Sequence, residues 1–240
     1  MRLPGVCPVV AFALQLLVAP AGVLAQAELA PPQAPASILS GKTAAVAGFV
    51  LAATLIADQS LRGQVQEHRG KTSNAVARVG NGFGEPRYVL PLIGAGLLVG
   101  QIAGEGSVTR VALRAAGAVA IAGGITTAAK FAIGRHRPGG ADQADVFQPL
   151  SGRNSFPSGH TAVAFAVATA IAEETGDPWA RAALYGAATL TALSRLNDDR
   201  HWVSDVFAGA LVGHLSARWL SRRQGGPRIH PGGVTMSFEF

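Results

Sequence analysis

Apolar residues gather into six segments, at approximately 42–57, 88–104, 109–130, 160–173, 180–195 and 203–220. Between the first two lies a polar stretch, DQSLRGQVQEHRGKTSNAVARVGNGFGEPR, which predicts partial helix with a Gly-rich turn at Gly80 to Gly84. No strand alternation of any length occurs before VTMSFEF at the end. The pattern predicts an all-α fold, a helical bundle of about six core helices.

The ends of the chain read differently from its middle. Residues 1–25 place Arg2 before the apolar run VVAFALQLLVA and small residues at Val23 and Ala25, the three-part layout of a secretory signal peptide. Residues 26–40, QAELAPPQAPASILS, form an Ala/Pro-rich tether with no core of its own. A helical domain over 41–223 follows, then a tail over 224–240. The sole cysteine, Cys7, falls inside the signal and ahead of its apolar run, so neither a disulfide nor a lipid anchor is expected of the mature chain.

At 240 residues the chain suits one domain with a real core. It is 49% hydrophobic with 30 Gly and 6% aromatic, which favours closely packed helices over a β-sandwich. The formal charge is +6. The basic residues have no interleaved aromatics, so the excess points to phosphate and a membrane surface and not to nucleic acid.

The polar residues that interrupt the apolar pattern sit at three predicted helix ends. In KFAIGRHRP, Lys130 closes an apolar run, and Pro138 disfavours helix at Arg137. In SFPSGHT, Pro157, Ser158 and Gly159 read as turn and N-cap, with His160 in the first turn, where free N–H groups make an anion site. In SRLNDDRHWVSD, Arg195 supplies a planar cation. His201 and Asp205, four apart, share a face if the segment is helical, giving a histidine oriented by a carboxylate. Each of these has a plainer reading: dipole-complementing charges, an N-cap, a surface histidine, a structural hydrogen bond.

Together, Lys130, six residues, Arg137-Pro138; then Pro157-Ser158-Gly159-His160; then Ser194-Arg195, five residues, His201, three residues, Asp205 resemble the three-part signature of the type 2 phosphatidic acid phosphatase superfamily. That superfamily includes bacterial class A acid phosphatases and vanadium haloperoxidases. No signature position is substituted, and intervals of 18 and 33 residues separate the parts. The resemblance covers residues 130 to 216 well, and 40 to 129 only through hydrophobic pattern.

The resemblance and the chemistry jointly imply a mechanism. His201 attacks phosphorus and forms a phosphohistidine while Asp205 holds its ring; His160 protonates the leaving alkoxide and then activates water. Lys130, Arg137, Arg195, the Ser158 hydroxyl and the Gly159 N–H neutralise the equatorial oxygens. No metal or cofactor is expected, because these cations do a magnesium ion's work and the adjacent Asp198 and Asp199 diverge on a helix. Arg135 and His136 fall in the variable interval and read as solvated basic residues. Arg153 and Asn154 border the second part as possible substrate contacts. Trp202 reads as helix packing or an interface residue, and His214 as an ordinary packing or surface position.

The expected activity is hydrolysis of a phosphomonoester or pyrophosphate, with a lipid phosphate such as phosphatidic acid or an isoprenyl pyrophosphate as substrate. The alternatives are a soluble periplasmic non-specific acid phosphatase, a vanadate-dependent haloperoxidase, whose known members are much longer, and a non-catalytic membrane scaffold. The expected location is a membrane with the site facing the periplasm, or the soluble periplasm. Three spans before Lys130 cannot coexist with a cleaved signal and an outward-facing site. The alcohol or lipid part of the substrate, the oligomeric state and the role of VTMSFEF are not specified by these patterns.

Overall fold

The computed structural model describes residues 39–140 and 143–222, together with the backbone of 228–230 and 233–235. The predicted signal peptide, nearly all of the tether and the end of the tail lie outside the described residues. The helices are α1 (Gly41–Glu67), α2 (Lys71–Phe83), α3 (Pro86–Ile102), α4 (Gly106–Ile133), α5 (Gly159–Thr175), α6 (Pro178–Asn197) and α7 (Val203–Arg222). Six of them coincide with the six apolar segments. The seventh, α2, forms within the polar stretch and continues through Gly80 and Gly82 to a C-cap at Gly84, so the predicted turn is helix except at its last residue. Gly80 is helical because α6 lies against it: a Cβ there would stand 2.6 Å from the Leu190 carbonyl oxygen.

α5 is the centre of the bundle. It is apolar on every side and buried almost continuously from Thr161 to Ala172, as a helix with no solvent face must be. Its alanines let α4, α6 and α7 approach closely. α7 comes nearest, through Gly209 and Gly213, where an added Cβ would lie 2.4 Å from the Ser158 carbonyl oxygen and 2.1 Å from that of Ala162. Two glycines four apart thus make one face flat enough for backbone contact.

α4 ends where Gly134 turns left-handed, with φ +60, and its N–H caps the Lys130 carbonyl at 2.9 Å. A three-residue 3₁₀ turn, Pro138–Gly140, follows. The C-terminal halves of α1, α4 and α6 and the N-terminal ends of α3, α5 and α7 meet at one end of the bundle, because α1 runs the same way as α4 and successive helices alternate in direction from α3 onward. Short strands β1 (Arg228–His230) and β2 (Gly233–Thr235) pair antiparallel, both within the tail.

α1 and α4 are long and apolar enough to cross a membrane, by length and composition. α1 presents its buried stripe of Thr54, Asp58 and Leu61 to the bundle and leaves Phe49 and Ile56 outside, the latter 87% exposed. With Leu92, Leu98 and Ile102 of α3 also exposed, the apolar surface fits association with a membrane.

Candidate active site

Arg135 follows the left-handed Gly134 that ends α4. It is 1% exposed, not solvated as its position in the motif's interval predicts. Its Nε donates to the Ala144 carbonyl at 3.0 Å. Nη1 donates to Ser204 Oγ at 2.6 Å and Asp205 Oδ1 at 2.7 Å, and Nη2 to Asp58 Oδ2 and the Ala144 carbonyl, both at 2.7 Å. All five guanidinium N–H groups are thereby used. Asp58 also accepts from the Ser204 N–H at 2.9 Å and from the Ser204 hydroxyl. The first helix, the segment after α4 and the start of α7 are tied together by one buried Asp–Arg–Asp network.

That network fixes Asp205 in the first turn of α7. Its Oδ2 accepts from Ser155 Oγ at 2.5 Å and from the Trp202 N–H at 3.0 Å. Burial pushes the Asp205 carboxyl up, but His201, Arg135 and Ser155 together hold it below the ordinary carboxylate range. His201 lies in the turn before α7, not on the helix, so the four-residue spacing works through a turn instead of a helical face. Its Nδ1 is 3.5 Å from Asp205 Oδ2, an ion-pair separation without a hydrogen bond. The ring is 4% exposed, and burial pushes its pKa down to about 4, so it is neutral at neutral pH.

Ser158 is the N-cap of α5 and is wholly buried. Its N–H donates to the Asp205 carbonyl at 2.8 Å, and its Oγ accepts from Thr161 Oγ1 at 3.0 Å, which ties the two helix starts to each other. Gly159 follows, beside the Lys130 side chain, and Lys130 Nζ donates to the Asn154 carbonyl at 2.5 Å. His160, half-buried in the first turn, places Nε2 3.3 Å from Glu85 Oε2. Burial and then Arg195 lower its pKa, against the Glu85 carboxylate, which raises it.

Arg195, near the end of α6, donates to Asn81 Oδ1 and, at 3.2 Å, to Asp198 Oδ2. Asp199 turns the other way, with φ +55, and accepts two bonds of 2.8 Å from Arg62. The adjacent carboxylates thus serve different arginines. Arg137 stands beyond the end of α4, and Arg200 and Asp205 both act on its charge. Among the described residues, Arg137 Nε, Arg195 Nε and His201 Nδ1 are buried polar atoms without a hydrogen-bond partner. Such donors are costly to bury unpaired, and two cations holding them at one end of a bundle suit an anion.

All eight sequence-predicted site residues therefore lie at the same end of the bundle. Lys130, Arg137, Arg195, His160, His201 and Asp205 are close enough to shift one another's ionisation. Sequence reasoning missed Arg135, Asp58, Ser155, Ser204, Asn81 and Glu85. Asp58 carried a signal, a lone carboxylate closing an apolar run, and Glu85 sat just before the helix-starting Pro86. Trp202 is 1% exposed, donates Nε1 to the His136 carbonyl at 2.9 Å, and has the Arg62 and Arg135 guanidinium groups 5.6 and 5.4 Å from its ring centroid.

The family model of the PAP2 superfamily matches residues 111–226. This segment belongs to the PAP2 superfamily. The match contains all eight predicted site residues, whereas Asp58, Asn81 and Glu85 precede it. The lipid A 1-phosphatase of Porphyromonas gingivalis is 43% identical over 108 residues, which make up 43% of this chain and 22% of that protein. The PAP2 segment thus aligns with less than a quarter of that relative's length. The crystal structure of Aquifex aeolicus LpxE superposes with a TM-score of 0.55 at 22% identity, over 67% of this chain and 92% of that one, a likeness of fold.

Proposed function

We propose that this protein is a phosphatase that hydrolyses a phosphomonoester or pyrophosphate carried on a lipid, through a phosphohistidine on His201 and without a metal ion. The observation that carries this reading is the convergence of a neutral, carboxylate-flanked histidine, a second histidine and three cations at one bundle end. His201 can attack only when its lone pair is unprotonated, and burial keeps it so. Asp205, locked by Arg135 and Ser155, stabilises the charge that the ring gains on phosphorylation. His160 gives its proton to the leaving oxygen and takes one from water in the second step. Lys130, Arg137 and Arg195, with the Ser158 hydroxyl and the Gly159 N–H, hold the phosphoryl oxygens while charge shifts.

The apolar exterior of α1 and α3 supports a lipid over a soluble ester. Likeness over 108 residues to a lipid A 1-phosphatase makes lipid A 1-phosphate a natural addition to phosphatidic acid and an isoprenyl pyrophosphate. The site faces the periplasm in this reading. The test is phosphate release from these three and from p-nitrophenyl phosphate, in EDTA, by the unmodified chain and by His201→Ala. Release that survives EDTA and vanishes in the variant is expected. Release that EDTA abolishes, or that His201→Ala retains, would contradict the mechanism.

A further inference from the structure

Each histidine of the site has its own carboxylate. Asp205 flanks His201, as the signature implies, but nothing in the signature supplies a partner for His160. The structure does: Glu85, the N-cap of α3, has Oε2 3.3 Å from His160 Nε2. The turn that carries it is pressed onto α5, for a Cβ at Gly84 would stand 2.4 Å from the His160 carbonyl oxygen and 2.5 Å from Thr191 Cγ2. Only glycine lets the Glu85 backbone come this close.

Resting on the function proposed above, we infer that Glu85 is a positioning residue for the general acid, its carboxylate holding Nε2–H of His160 so that Nδ1 faces the leaving oxygen. A histidine that accepts or donates through one nitrogen must have the other fixed, and a carboxylate at Nε2 does both jobs of tautomer and orientation. It also opposes the groups that drive the proton off the ring. The charged groups facing His160 are Glu85 from the α2–α3 turn, Arg195 from α6 and Arg137 from the segment after α4. Lys130, Arg200 and Asp205 act in turn on Arg137, Asp198 on Arg195, and Arg87 on Glu85. Both cations that act on the ring itself drive protons off it, and Glu85 is the opposing charge. In the first step the Nδ1 proton passes to the departing alkoxide as the P–O bond breaks and the bond from His201 to phosphorus forms. In the second, Nδ1 takes a proton from the water that attacks phosphorus and releases His201.

The test uses the full chain and its Glu85→Gln, Glu85→Asp and His160→Ala variants on two substrates, octyl phosphate and p-nitrophenyl phosphate. The nitrophenolate leaves without protonation; the octyl alkoxide does not. In Glu85→Gln, kcat/KM for octyl phosphate falls by about ten- to a hundredfold, while that for p-nitrophenyl phosphate falls less than about threefold. The alkaline limb of the octyl phosphate profile moves to lower pH by about one unit. Glu85→Asp, which keeps the charge on a shorter arm, restores the pH limb and part of the rate. Equal losses on both substrates with an unmoved limb, or no loss at all, would overturn the inference. Hydrolysis of neither substrate by the unmodified chain would instead overturn the phosphatase reading, and the inference with it.

Discussion

The side chain with the most to lose is Arg135, whose five N–H groups hold two buried carboxylates and a backbone carbonyl. Removing one partner of such a network strands the others, and Arg135→Ala should cost about 3–5 kcal/mol of folding stability, measured by denaturant unfolding. Lysine has neither the planar fork nor enough donors to rescue it. A second effect at this scale is acid sensitivity. The folded pKa of His201 is about 4 against an ordinary value of 6.5, so protons bind the unfolded chain first. The stability contributed by neutral His201 is complete above pH 6.5 and lost as pH falls toward 4. At pH 5 the loss is about 2 kcal/mol. His201→Gln should flatten that part of the stability profile. Lys130, Arg137, Ser158, His160, Arg195, His201 and Asp205 were legible in the sequence because the signature is local, three short strings with fixed spacing. Arg135, Asp58 and Glu85 were not, because their partners lie 70, 77 and 75 residues away, and the pattern within a string carries no record of a contact that distant.

Helix positions were read from apolar runs with little error, since burial in a bundle needs long uninterrupted segments. α2 was harder to see, because it has no long apolar run and meets α6 through the close glycine contact at Gly80. The same physics makes the α5–α7 contact fragile. Gly213→Ala forces a methyl group against the Ala162 carbonyl and should cost about 1–3 kcal/mol, read as a lower unfolding midpoint. Gly209→Ala pushes on the Ser158 carbonyl, beside the bond from Ser158 N–H to Asp205. It should therefore lower activity more than Gly213→Ala does at matched stability loss, and equal activity in the two variants would contradict the placement of Ser158 in the site.

On the scale of the whole molecule, α1 runs toward the site, α3 away from it and α4 back, so Gly41 lies at the end opposite Lys130. If α1 spans the membrane, reporters fused after Ser40 and after Gly70 fall in opposite compartments, with the second on the site's side; matching signals would leave α1 lying on the surface. A periplasm-facing site then places Gly41 in the cytoplasm, which a cleaved export signal over residues 1–25 does not allow. The charge network explains why α1 is part of the bundle and not merely an appendage: Asp58 and Arg62 reach Arg135 and Asp199. In the proposed mechanism all of this serves one chemical event, transfer of a phosphoryl group to His201. The measurement that tests it most directly is a rapid alkaline quench of the full chain with radiolabelled substrate in EDTA, followed by peptide mapping. Label on the peptide that contains His201, lost in His201→Ala, is the predicted result; turnover with no labelled histidine, or label on His160, would contradict the account.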